Sequence, residues 1–199
     1  MVADTFFMRV AVLLSGAGRT LDNLVERIAA GRLDATIVAV IASRGDVRGV
    51  QIAETAGLPI WVLPPQGRPL HEWSAEVFDA CRGARADLVV MAGFLHLLEI
   101  PEDFAGRVIN IHPSLLPAFG GKGFHGAHVH RAVLDRGCTI SGCTVHLVDQ
   151  VYDHGRILLQ RAVPVLPDDT PDSLAARVFA AECEALPEVI ARFATNPVS

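Results

Sequence analysis

Two stretches constrain this chain before any single residue does: Val38-Ala39-Val40-Ile41 and Leu88-Val89-Val90-Met91 are apolar at every position. Side chains of a strand point alternately to opposite faces, so a strand with one wet face must alternate in polarity. A run without a polar position is covered on both faces, as in a parallel sheet flanked by helices. The surrounding pattern agrees. Residues 10–14, 37–42, 60–63 and 88–91 read as strands. Residues 21–30, 47–56 and 70–82 read as helices, the first two ended by Gly31 and Gly57. Such alternation predicts an α/β fold with a doubly wound, mostly parallel open sheet of Rossmann-like kind.

After a fifth strand at 108–111 the grammar changes. A loop rich in Pro and Gly runs to about His125, followed by a short helix at 129–135. Residues 144–148 and 157–165 read as longer strands, expected to pair as an antiparallel hairpin. A long C-terminal helix should begin with Thr170 as N-cap, Pro171 and Asp172 in its first turn, and run to about Phe193. Pro187 should disturb it, because proline donates no interior hydrogen bond. There is no internal repeat, low-complexity tract or linker. One domain over 1–199 is expected, with halves at about 9–107 and 108–194.

The charge narrows the partners. A net charge of −5, with no cluster of Arg or Lys, leaves no basic stripe for nucleic acid but permits one local anion site. Cys81, Cys138, Cys143 and Cys183 form no Cys-x-x-Cys pair, so reduced thiols in a cytoplasmic protein are expected. The apolar start from Phe6 to Leu14 lacks a basic n-region and runs into a glycine turn, as a buried first strand would and a signal peptide would not. No stretch is long enough for a membrane span.

Two places carry chemistry. Ser15-Gly16-Ala17-Gly18-Arg19-Thr20 joins a strand to a helix, where glycines bring backbone N–H groups close to an oxyanion. Leu21 stands where a dinucleotide fingerprint needs a third glycine, which leaves a single phosphate or a plain βα turn. At the end of the fifth strand, Asn110 and His112 are two residues apart and so share a face. Asn can donate to a developing oxyanion, and His can donate or shuttle a proton. A pair of structural polar caps fits the same residues.

Asn110-Ile111-His112-Pro113-Ser114-Leu115-Leu116-Pro117 resembles the signature of the 10-formyltetrahydrofolate-dependent formyltransferase family. Flanking pieces agree in order: Ser15-Gly16-x-Gly18, Ala92-Gly93-Phe94, Ser141-Gly142-Cys143-Thr144-Val145-His146, Asp153-x-Gly155 and Ile157-Leu158-Leu159-Gln160. The resemblance runs from about Arg9 to about Ile190. It implies formyl transfer from 10-formyltetrahydrofolate, as co-substrate, to the amine of glycinamide ribonucleotide in purine biosynthesis. The implied protein is a monomer or homodimer, with no metal, nucleic acid or membrane involved.

The resemblance further implies a catalytic trio of Asn110, His112 and Asp153, with Asp149 the rival acid in the same loop. Gly16, Ala17, Gly18, Arg19 and Thr20 would hold the phosphate, and Glu182 the ribose. Phe94, Leu95, His96, Leu97 and Leu98, with Asp149, Gln150, Val151 and Tyr152, would form the folate pocket. Asn110 would donate to the oxyanion, cationic His112 would stabilise the same charge, and Asp153 would favour that imidazolium and orient a relaying water. Ala17 and Arg19 depart from the common Asn and Ser, and His96 from Arg. Residues 118–126, with Gly120, Gly121 and Gly123, are longer than usual and suggest a flap over the substrate.

Other residues read as structural. His125, His128 and His130 are dense, but no acid or thiol completes a metal set at ligand spacing. His146 reads as a core-edge histidine, Cys143 as a small core residue, and Trp61 and Trp73 as packing. Three rivals share part of the pattern. A 10-formyltetrahydrofolate hydrolase would use the same trio but is expected to carry a further N-terminal region. A non-catalytic nucleotide-binding module explains the glycine loop but not the trio. A tRNA formyltransferase is expected to need a basic C-terminal domain.

Overall fold

The computed structural model describes residues 7–195. Phe6 and the outer limits of the expected 1–199 domain lie outside them. Two compact units emerge: one runs to Val108 and resumes at Ile190, the other is Ile109–Val189.

In the first unit, β1 (Met8–Leu14) pairs in parallel with β2 (Ala35–Ala42) and β4 (Leu88–Met91), and β2 pairs in parallel with β3 (Ile60–Val62). The order is β3-β2-β1-β4. Val12 lies between Val40 and Val90, and all three are fully buried, as their unbroken apolar runs require. The helices α1 (Arg19–Ala29), α2 (Arg48–Thr55) and α3 (Leu70–Gly83) follow β1, β2 and β3 in turn. Trp73 is buried, and its indole N–H donates to the Leu63 carbonyl at 3.0 Å, a packing role as expected.

The second unit is antiparallel. From Ile109 onward, β5 (Val108–His112) pairs with β6 (Ile140–Leu147), and β6 pairs with β7 (Ile157–Pro164). The helix α4 (Ala127–Asp135) precedes β6, and α5 (Pro171–Thr195) closes the chain. Thr170 caps α5 as expected: its hydroxyl accepts the Ser173 N–H at 3.2 Å, and Ser173 Oγ accepts the Thr170 N–H at 2.9 Å.

Several elements differ from expectation at their ends or in their course, among them β6, α4 and α5. β6 begins four residues earlier than its predicted start at 144, because Ser141, Gly142 and Cys143 continue the pairing with β7 and are buried on both faces. α4 begins at Ala127, two residues before its predicted start. α5 runs through Pro187 without a break. An interior proline costs ~3 kcal/mol, but Ala185, Leu186 and Val189 around it are buried, and that packing holds the helix together. Among the described residues no helix is long and apolar enough to cross a membrane.

Candidate active site

Four polar side chains meet in the second unit. Antiparallel register sets Asn110 opposite His146 and His112 opposite Thr144. The loop between β6 and β7 then brings Asp153 back to them. Asp153 Oδ1 lies 3.4 Å from His112 Nδ1, 3.7 Å from His146 Nε2 and 3.4 Å from the Asn110 amide nitrogen. His112 and His146 are buried at 4% and 1% exposure, so these contacts are shielded from bulk water.

The ring protons follow from their partners. His112 Nε2 lies 2.8 Å from the Phe119 carbonyl and His146 Nδ1 lies 2.7 Å from the Leu147 carbonyl. A carbonyl only accepts, so each of those nitrogens carries the proton. His146 Nε2 is then an acceptor, and the Asn110 amide donates to it at 3.1 Å. That bond fixes the amide plane; the longer 3.4 Å contact to Asp153 is the one a ligand would displace.

Burial draws the His112 pKa below its ordinary value, against the opposing pull of the Asp153 carboxylate and the Phe119 carbonyl. The resting ring is therefore neutral and not a standing cation. Burial works to raise the Asp153 carboxyl, yet His146, His112 and the Gly121 N–H bring it below the usual carboxylate range, so it is ionised. The Gly121 bond is 2.9 Å. Asp153 itself has a left-handed backbone, φ 53°, uncommon outside glycine but tolerated by Asp.

Asp149, the rival acid, is engaged elsewhere. It accepts the Val151 N–H at 2.8 Å and His154 Nδ1 at 2.7 Å, a turn that shapes the loop carrying Asp153. Gln150, Val151 and Tyr152 are exposed on that loop.

The strand exit is rigid because its polar groups are satisfied. Thr144 Oγ1 donates to the Ser114 carbonyl at 2.7 Å and accepts from the Leu116 N–H and from Gln160, both at 3.0 Å. Gln160 also donates to the Leu116 carbonyl at 2.9 Å. The flap expected at 118–126 is anchored at its root, where Phe119 holds His112 and Gly121 holds Asp153, while residues 122–126 are mostly exposed.

The remaining expected residues lie as follows. In the first unit, the Gly16 carbonyl accepts the Gly49 N–H at 3.1 Å, and Arg19 and Thr20 open α1. Gly18 has φ 70°, and a Cβ there would sit 2.5 Å from Gly49 Cα, so the loop has room for no side chain at this point. Ala17 and Arg19 are exposed. Phe94 and Leu98 are buried, Leu95 is exposed, and His96 and Leu97 are intermediate. In the second unit, Glu182 stands half-buried on α5 beside β6. Burial first, and then its charge, push the Cys143 thiol up to about 12. His125 and His128 meet edge to face with centroids 5.6 Å apart, and His130 turns inward. Among the described residues no group of three or more His, Cys, Asp or Glu could hold a metal ion.

The sequence reading missed His146, Thr144 and Gln160. The two-residue spacing that puts Thr144 and His146 on one face, and the place of all three in the pieces that carry the resemblance, were the signals that could have found them.

Residues 8–190 match the family model described as formyl transferase. The chain belongs to the formyl transferase family. This family member is 39% identical to the chloroplastic phosphoribosylglycinamide formyltransferase of Arabidopsis thaliana over 92% of its own length. It spans 64% of that protein's length and 59% of a second plant relative's, from Vigna unguiculata. It is 34% identical to the phosphoribosylglycinamide formyltransferase of Escherichia coli, covering 94% of this chain and 87% of that one. Glycinamide ribonucleotide transformylase 1 from Symbiobacterium toebii superposes with a TM-score of 0.86 at 36% identity, over 95% of this chain and 88% of that one. A formyltetrahydrofolate deformylase from Pseudomonas syringae has the same fold, TM-score 0.83, at a lower 27% identity, over 96% of this chain and 62% of that one.

Proposed function

We propose that this protein transfers the formyl group of 10-formyltetrahydrofolate to the amine of glycinamide ribonucleotide, a step of purine biosynthesis in the cytoplasm. The observation that carries this reading is the buried meeting of Asn110, His112 and Asp153, with His146 fixing the amide, in a chain of the formyl transferase family. The names of its relatives support the acceptor, and four free cysteines suit a reducing compartment. The loop Gly16–Thr20 holds the phosphate and Glu182 the ribose, while Phe94–Leu98 and Asp149–Tyr152 hold the folate.

The amine nitrogen bonds to the formyl carbon, giving a tetrahedral oxyanion to which Asn110 donates. His112, neutral at rest, takes the amine proton on Nδ1, the ring atom that faces Asp153 at 3.4 Å and is not held by the Phe119 carbonyl. The imidazolium so formed lies against the ionised Asp153 and adds its charge to the stabilisation of the oxyanion. The carbon–nitrogen bond to tetrahydrofolate then breaks, and the proton passes to the departing nitrogen. The cation thus arises during the reaction instead of standing beforehand, because burial disfavours it until substrate supplies the proton.

A folate assay with and without glycinamide ribonucleotide tests the acceptor. Release of tetrahydrofolate is expected only when the amine is present. Equal release without it would make the protein a hydrolase, and nucleotide binding with no release a binding module. A pH profile tests the carboxylate. Asp153 raises the His112 pKa, so Asp153→Asn should lower it further. The acid limb of kcat should move to lower pH while the plateau falls. An acid limb that stays where it is, or moves upward, would show that Asp153 does not tune His112.

A further inference from the structure

At the root of the glycine loop stand two serines whose hydroxyls the proposed reaction leaves unused. Ser15 is 8% exposed and Ser43 fully buried. Ser43 Oγ donates to Ser15 Oγ at 2.8 Å, and the Leu95 N–H donates to the same oxygen at 3.1 Å. The Ser15 N–H in turn donates to the Gly93 carbonyl at 3.1 Å. One residue at the start of the loop therefore grips the segment after β4 twice. That segment is otherwise stiff. Its Glu99 N–H donates to Ser74 Oγ at 3.0 Å, and Phe94 and His96 lie against Trp73 with ring centroids at 5.8 and 5.3 Å.

The protons do not all find acceptors. A serine hydroxyl has one proton and two lone pairs. Ser15 Oγ accepts from Leu95, and the two hydroxyls share one bond, so one proton of the pair is left over. Ser43 is fully buried with no other acceptor among the described residues, so its proton is the one spent on Ser15. The proton of Ser15 is left with no acceptor among the described residues.

We propose that Ser15 is a positioning residue that couples the two substrates, donating its hydroxyl proton to the nucleotide phosphate while it accepts the Leu95 N–H of the folate segment. This rests on the substrate assignment above. A hydroxyl that donates becomes a stronger acceptor, so a bound phosphate tightens the bond to Leu95 and orders the folate segment. Linkage is reciprocal, and folate must then tighten the nucleotide by the same factor.

Titration calorimetry of the full chain reads the coupling directly. Glycinamide ribonucleotide is titrated with and without a folate analogue that carries no transferable formyl group. In the wild-type protein the analogue should tighten the nucleotide at least about five-fold, the lower end of ordinary coupling. Ser15→Ala and Ser15→Cys should bring the ratio below two-fold, since neither offers a strong donor and acceptor. Ser43→Ala should keep it, because Ser15 loses only its bond to Ser43 and still accepts the Leu95 N–H while donating to the phosphate. A wild-type ratio of one with both ligands binding would overturn the coupling and leave the enzymatic reading standing. Binding of neither ligand would overturn both. A Ser15 variant that loses melting temperature but keeps the ratio would reduce Ser15 to packing and sink the proposal, as would an equal loss in Ser43→Ala.

Discussion

Asn110→Ala and His112→Ala are each expected to lose at least two decades in kcat while glycinamide ribonucleotide still binds. The Asn110 amide is oriented beforehand by His146 at 3.1 Å, so its donation to the oxyanion requires no reordering during the reaction. Removing one such donor typically costs ~2.7–4 kcal/mol of transition-state stabilisation, which is a factor of about one hundred to one thousand. Loss of His112 removes the proton acceptor as well as the charge that follows. The nucleotide should survive both changes, because the glycine loop and Glu182 carry it in the proposed reading. Steady-state kinetics beside calorimetric titration separates the two effects. If both variants stay within a few-fold of wild-type turnover, the assignment is wrong.

Gly155→Ala should cost at least about 3 kcal/mol of stability, at the upper end of overpacking penalties, and should cut turnover in what remains folded. A Cβ at Gly155 would lie 1.9 Å from the Leu147 carbonyl oxygen and 2.8 Å from its carbon. Both are backbone atoms at the end of β6, where Leu147 N–H already donates to the Arg156 carbonyl at 2.8 Å, so neither can rotate aside. Relief requires the loop to shift, and that loop carries Asp153 two residues upstream. Urea unfolding gives the first effect and kcat the second. A shift below about 1 kcal/mol would mean the loop relaxes freely and does not hold the carboxylate in place.

The cluster explains why some of this was readable in advance. Asn110 and His112 lie two residues apart on one strand, and alternation alone puts them on one face. The motif around them carried the resemblance; in the structure Asp153 reaches the pair, while Asp149 is consumed by Val151 and His154. From the sequence, His146 reads as a core-edge histidine. It is buried as packing would be, but it is 36 residues from Asn110 in sequence, and only the β5–β6 register makes them neighbours. That burial disfavours a charged His112 leaves no mark in the sequence either, because burial is a property of the folded surroundings and not of the residue.

By itself the sequence determined the parallel half of the sheet, the family and the shared face of Asn110 and His112. Each depends on local periodicity or on a contiguous motif, and short-range sterics enforce both. Only the tertiary structure decided which histidine orients the amide, which groups satisfy Thr144 and Gln160, and where the protons rest. Those depend on antiparallel register and burial, which join residues dozens of positions apart and leave no periodic trace along the chain.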